Sequence, residues 1–252
     1  MIISYKESTR REGAEDMISQ NLWLPDGERL TIMVGHSGSG KTECSVNLAL
    51  AIQELGHPAA LADLDVVNPY FRSRERRDLL RQHGIRLVST AQACVDADVP
   101  ALPPELNTLL EDRTLYSVLD IGGGSVGARV LARYRHKIAA QPHRVCFVLN
   151  AARPATGTVD GCIASLREIE QTIGLNITHI IHNTHLCDQT TPDDILEGAA
   201  LARTVSEQTN LPVLCHCVHH SLVRKIHPDE PIFPLHLYMN KPWDEAETPS
   251  AV

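Results

Sequence analysis

Apolar residues fall in short, nearly continuous runs along the chain: Leu30–Val34, Ala59–Leu64, Ile85–Ser89, Tyr116–Ile121, Val145–Leu149, Ile177–His182 and Pro212–Val218. Runs of this length with little polar alternation predict strands of a parallel sheet covered on both faces. Between them the spacing changes. Val159, Ile163, Leu166, Ile169 and Ile173 recur at the helical period, as do Ile195, Ala199 and Ala202. The second of these helices is announced by Thr191-Pro192-Asp193-Asp194, a capping hydroxyl followed by proline in the first turn and acids that suit the positive end of the helix. Strands alternating with helices predict an α/β fold with a doubly wound, mostly parallel sheet and helices on both faces. Ligands of such sheets sit at the carboxyl ends of the strands.

The flanks read differently. Residues 1–29 are polar and weakly patterned, a lead-in with an edge strand expected around Leu22-Trp23-Leu24. One domain is expected over residues 30–240, interrupted by an extended proline-rich connection at Val99–Pro104. Residues 241–252 are expected to be a disordered acidic tail.

Composition narrows the class. With 252 residues and 43% apolar content the chain can bury a substantial core. A net charge of −8 argues against a surface built to attract nucleic acid or acidic lipid. The seven cysteines are odd in number, lie mostly within apolar runs and form no CxxC pair, as reduced thiols of a cytoplasmic protein would. No apolar run reaches the ~18 residues of a membrane helix, so a soluble protein is expected.

The chemistry concentrates after the first strand. Gly35-His36-Ser37-Gly38-Ser39-Gly40-Lys41-Thr42 is a complete GxxxxGK[ST] loop between a predicted strand and a predicted helix. Its glycines allow backbone N–H groups to converge on phosphates, and the helix behind adds its positive end. Lys41 would reach the β- and γ-phosphates, and the Thr42 hydroxyl would ligate Mg²⁺. The expected nucleotide contacts are Gly35, Ser37, Gly38, Ser39, Gly40, Lys41, Thr42 and Glu43. A glycine- and serine-rich turn with an incidental lysine is the bland alternative, and the strand–loop–helix context argues against it.

Beyond the loop come Val46-Asn47-Leu48-Ala49, Gly56, and the run Ala59–Leu64 with Asp63 and Asp65 at its end. In this order the chain resembles SIMIBI-class P-loop NTPases, in particular the MinD/ParA branch of the CobQ/CobB/MinD/ParA family, over about residues 30–220. The resemblance implies that Asp65 lies beside the attacking water and the metal. It gives Asp120, which ends the strand Tyr116–Ile121, the role of ordering the Mg²⁺ shell through water, and Gly123 of the triplet Gly122-Gly123-Gly124 that of sensing the γ-phosphate. Lys41, Asp65 and Asp120 are thus the expected catalytic set, with Thr42, Asp65 and Asp120 around Mg²⁺. Asn183 is expected at the base. Because Asn183-Thr184-His185-Leu186 lacks the Asn-Lys-x-Asp carboxylate that reads guanine, ATP and ADP are favoured over GTP.

Where this branch has a second lysine in the loop, this chain has His36, which weakens the case for nucleotide-driven homodimerisation. The C-terminal stretch Asp244–Val252 bears no likeness to the basic amphipathic helix of MinD proteins, so membrane targeting is not expected. The arginines Arg72, Arg74, Arg76, Arg77 and Arg81 follow the aspartates directly, and fit either a solvated helix face or a docking segment for a protein partner. Nucleic acid is a poor match to them, since no aromatic platform accompanies the charge. Cys215-His216-Cys217-Val218-His219-His220 carries soft ligands at strand spacing, yet on a central strand these cysteines read better as small buried hydrophobes. The expected function is a slow ATPase that acts as a switch on a partner protein. The alternatives are a maturation NTPase that delivers a metal, a small-molecule ligase or kinase of the CobB/dethiobiotin-synthetase type, and a nucleotide-binding module without turnover.

Overall fold

A computed structural model describes residues 28–65, 73–89 and 105–239. Within them lies one eight-stranded sheet, in which every neighbouring pair is parallel and the order is β3-β2-β4-β1-β5-β6-β7-β8. The strands are β1 (Leu30–Val34), β2 (Ala59–Leu64), β3 (Arg86–Ser89), β4 (Tyr116–Ile121), β5 (His143–Leu149), β6 (His179–His182), β7 (Val213–His219) and β8 (Ile232–Leu235). The helices are α1 (Lys41–Glu54), α2 (Ser73–Gln82), α3 (Glu105–Glu111), α4 (Gly124–Ala132), α5 (Arg135–Ala139), α6 (Val159–Ile173) and α7 (Pro192–Thr209).

Two cores flank the sheet, because successive side chains of a strand point to opposite faces. On one face Leu30, Ile32 and Val34 of β1 and Val145, Phe147 and Leu149 of β5 pack with Leu166, Ile169 and Ile173 of α6. On the other, Met33, Cys146 and Val148 meet Cys44, Val46 and Leu48 of α1. A helix hydrophobic on most sides is a buried helix, and α1 holds nine buried residues over its length. The consequence is a rigid base for the loop that precedes it.

The seven expected strands are all present, three of them with the expected bounds and the others shifted by one or two residues at an end. Helix α6 spans Val159–Ile173, and α7 starts with the expected cap: Thr191 accepts from the Asp194 N–H while the Asp194 carboxylate accepts from the Thr191 N–H. An eighth strand, β8, joins the edge of the sheet beside β7, with Pro234 exposed. Proline is tolerated there because an edge strand can leave one side of its backbone unbonded.

Arg29 is buried, and its guanidinium donates to the carbonyls of Leu110 (2.9 Å) and Leu115 (3.4 Å) and to Gln141. It thereby satisfies a carbonyl in the last turn of α3 that the helix itself leaves open. The edge strand expected at Leu22-Trp23-Leu24, the proline-rich connection at Val99–Pro104 and the tail at 241–252 lie outside the described residues.

Candidate functional site

The glycine-rich loop leaves β1 at the carboxyl edge of the sheet and runs into α1. Gly35, Gly38 and Gly40 have φ of 148°, 75° and 87°, in the left-handed region that side-chain-bearing residues avoid. Gly40 is doubly constrained, since a Cβ there would stand 2.2 Å from Asn183 Nδ2. The Lys41 ammonium folds back to donate to the His36 carbonyl at 2.9 Å, so it caps the loop from inside. Lys41 and Ser39 are buried, Thr42 is half-buried, and Ser37 and Gly38 are exposed. The Ser39 hydroxyl is buried without a hydrogen-bond partner among the described residues.

The acidic side of the site comes from β2 and β4. These strands are paired so that Asp63 is opposite Asp120, and Asp120 is in turn opposite Met33 of β1. Asp65 and Asp120 are both buried. A Cβ on Gly122 would stand 2.8 Å from Asp65 Oδ1, which places the Asp65 carboxylate against the backbone of the glycine triplet. Gly123 closes the arrangement: a Cβ there would collide with Ser37 Cα at 2.7 Å, and the Gly124 N–H donates to the Gly35 carbonyl at 3.0 Å. The triplet therefore lies directly on the loop, where any side chain at 123 would push it off.

On the opposite side the loop is held by the segments after β5 and β6. Asn183 Nδ2 donates to the Ser39 carbonyl at 2.8 Å. Asn150 Nδ2 lies 3.4 Å from the Gly38 carbonyl and 3.3 Å from the His185 carbonyl, while Asn150 Oδ1 accepts from the Ala152 N–H at 2.9 Å. Arg153 Nε donates to the same Gly38 carbonyl at 2.9 Å. His185 Nε2 is buried and without a partner among the described residues, and burial, aided by Arg153, pushes its pKa down to about 4. Asn150, Arg153 and His185 were not expected at the site. Asn150 and Arg153 carry no motif that would single them out, because their place depends on β5 pairing directly with β1.

Glu43, expected to contact nucleotide, also holds a distant segment of the chain. Its carboxylate accepts the backbone N–H groups of Tyr238 and Met239, and Asn47 exchanges two hydrogen bonds of 2.9 Å with the backbone of His236. Together they fasten the segment after β8 along α1.

A line of linked polar groups, exposed at its Arg203 end and buried from His216 to Thr184, runs behind the segments after β5 and β6. Arg203 of α7 holds Glu230, which accepts from His216 Nε2 at 3.0 Å; His216 Nδ1 faces His182 Nδ1 at 2.9 Å; His182 Nε2 faces the Thr184 hydroxyl at 2.8 Å; and Thr184 accepts the Ala151 N–H at 3.0 Å. One proton arrangement satisfies every member: His216 donates to Glu230 and accepts from His182, which accepts from Thr184. His182 is then neutral. Desolvation drives the His182 pKa down to about 3, with His216 adding to the effect, and the Arg203 hydrogen bond holds Glu230 down at about 2. Buried polar groups linked in this way fix one geometry.

Elsewhere, Cys44 and Cys217 approach to 3.6 Å between sulfurs, with both thiols buried and their pKa values raised. Among the described residues no three His, Cys, Asp or Glu side chains are grouped to hold a metal ion. Arg77 and Arg81 lie on α2, Arg77 exposed, whereas Arg72 and the side chains of Arg74 and Arg76 fall outside what is described. No described helix is long and apolar enough to cross a membrane.

A parallel sheet, a glycine-rich loop between its first strand and a buried helix, and an aspartate near the end of the strand beside that loop define the α/β fold of P-loop NTPases. No family model matches the chain, and no curated protein matches it. Solved structures do. The cell division protein FtsY of Thermotoga maritima superposes with a TM-score of 0.51 and 18% identity, over 79% of this chain and 68% of that one. Chloroplast FtsY from Physcomitrella patens gives a TM-score of 0.51 and 19% identity, over 79% of this chain and 66% of its own length. At such identity the likeness is one of fold.

Proposed function

We propose that the chain is a nucleotide-dependent switch that binds Mg·ATP, hydrolyses it slowly to ADP and changes its affinity for a partner protein with the state of the nucleotide. The observation that carries this reading is the convergence at one sheet edge of the Lys41-capped loop, the Asp65 and Asp120 carboxylates and a glycine triplet laid on the loop at Ser37. The buried Ser39 hydroxyl and the inward-folded ammonium are what a loop shaped for phosphate would present. Thr42, Asp65 and, through water, Asp120 would hold Mg²⁺, which when bound withdraws charge from the phosphates. Asp65, set against Gly122, positions water, and a triplet with no side chain to clear can shift when a third phosphate arrives.

ATP is the proposed nucleotide because no carboxylate follows Asn183 in the Asn-Lys-x-Asp pattern. Asn183 is already tied to Ser39, so base recognition and loop geometry share one side chain. The likeness to MinD/ParA proteins supports a protein partner or a second copy of the chain as what the switch acts on. Unoxidised thiols support a cytoplasmic setting. The maturation alternative draws little support from Cys215 and Cys217, whose burial opposes the thiolate a metal needs.

Calorimetry with Mg·ATP tests the reading: Lys41→Ala should abolish binding while leaving the melting profile intact, because it removes charge facing the phosphates. Unchanged affinity would sink it.

A further inference from the structure

One guanidinium near the loop is not accounted for by the fold. Arg153 sits where the chain turns after β5, its backbone extended at φ −106° and ψ 136° because Pro154 follows. The turn is pinned by the Arg153 N–H to the Asn150 carbonyl (3.3 Å) and the Thr156 N–H to the Arg153 carbonyl (3.0 Å). From there the side chain crosses to the loop. A Cβ on Gly38 would stand 3.0 Å from Nε and 3.2 Å from Cζ, so the plane of the guanidinium covers Gly38 itself. Among the described residues no carboxylate pairs with it, whereas Arg144 and Arg203 each pair with a glutamate; its one partner is the Gly38 carbonyl.

The position along the loop is informative. The glycine triplet abuts the loop at Ser37, and Asn183 and His185 abut it at Gly40. Gly38 lies between these two ends, over the middle of the phosphate run. A triphosphate carries more negative charge than Lys41 and one Mg²⁺ together offset, and His36, the other long side chain of the loop, turns its Nδ1 to the Ser37 carbonyl at 3.0 Å. Nε of Arg153 is spent on the Gly38 carbonyl, which leaves the N–H groups at the outer edge of the fork to donate to a pair of phosphate oxygens.

We propose that Arg153 is a phosphate-contacting residue, built into the same chain, whose guanidinium engages the β- and γ-phosphates of the bound nucleotide across Gly38. This rests on the nucleotide-binding reading given above. Lysine cannot replace it fully, because an ammonium has no second edge with which to hold Gly38 while reaching the phosphates. The same contact keeps the Gly38 carbonyl turned away from the anion.

The test is calorimetry on the full chain with Mg²⁺ and whichever of ATP or GTP binds better, each triphosphate set beside its diphosphate. Arg153→Gln should weaken triphosphate binding tenfold or more and diphosphate binding at most about threefold. Arg153→Lys, which keeps the charge, should retain most of the preference for triphosphate while lowering both affinities modestly. An equal loss for triphosphate and diphosphate in Arg153→Gln would show that the side chain only props Gly38, and no loss at all would show that it does neither; both overturn the proposal. Should Arg153→Gln fail to fold, Arg153→Met, which keeps the length and removes the charge, takes its place: a loss confined to the triphosphate supports the proposal, and an equal loss for both nucleotides or none overturns it. Failure of the underlying reading is distinct, since then the unsubstituted chain would bind no nucleotide of either kind.

Discussion

Asp65 is the residue on which binding and turnover should come apart. Its carboxylate lies against Gly122, beside the loop but not part of it, so removing it leaves the phosphate nest whole. Asp65→Ala should still bind ATP, less tightly for the lost Mg²⁺ contact, and lose turnover by roughly a hundredfold or more, since positioning water is a role realised in the transition state. Equal turnover in single-cycle kinetics would remove Asp65 from the mechanism. Base choice is decided at the same scale. An excess of GTP should fail to displace ATP, and displacement at equal concentration would overturn the preference drawn from Asn183. Most of these residues could be read from sequence because each sits in a local motif: loop, strand-end aspartates, glycine triplet. Arg153, Asn150 and His185 could not, because what brings them to Gly38 and Gly40 is the pairing of β5 with β1 and β6, a contact made between strands more than a hundred residues apart in the first case.

At the level of elements, periodicity located α6 and α7 well, and the Thr191–Asp194 cap was legible because its two partners are three residues apart. Strand β8 was not. Its four residues include Pro234, and what makes them a strand is the neighbouring β7. The segment that follows β8 was equally hidden, since its anchors, Glu43 and Asn47, lie almost two hundred residues upstream. Those anchors tie the segment to the helix that carries Lys41. Glu43→Ala should therefore release it: amide exchange at Tyr238 and Met239 should quicken, and stability should fall by about 1–3 kcal/mol, the usual cost of leaving charged hydrogen bonds unmade. Unchanged exchange at those two amides would show that Glu43 does not hold the segment.

The whole molecule carries a pH dependence set by the line of hydrogen bonds from Arg203 to Thr184. His182 is neutral in the fold, its pKa lowered from 6.5 to about 3 by burial and by His216. In the unfolded chain it takes up a proton near its ordinary value, so the unfolded state binds more protons as pH falls through 6.5, and stability is lost progressively from there down to about 3. His185, lowered to about 4, acts in the same sense. Glu230, held at about 2, adds stability that is present above its ordinary pKa and disappears as pH falls below it, again in the same direction but at lower pH. His182 alone should then cost about 2 kcal/mol between pH 6.5 and 5, at ~1.4 kcal/mol per pH unit. Urea unfolding at pH 7.5, 6.5, 5.5 and 5.0 should show a flat region above 7 and a falling one below 6.5. The location of the loss matters as much as its size. Because Thr184 connects the histidines to Ala151, and Asn150 next to it connects to Gly38, weakening at low pH should appear first as reduced nucleotide affinity and only then as global unfolding. Stability that stays level from pH 7.5 to 5.0 would mean that the His182 imidazole is not held neutral, and that the line from Arg203 to the loop is not a single satisfied network.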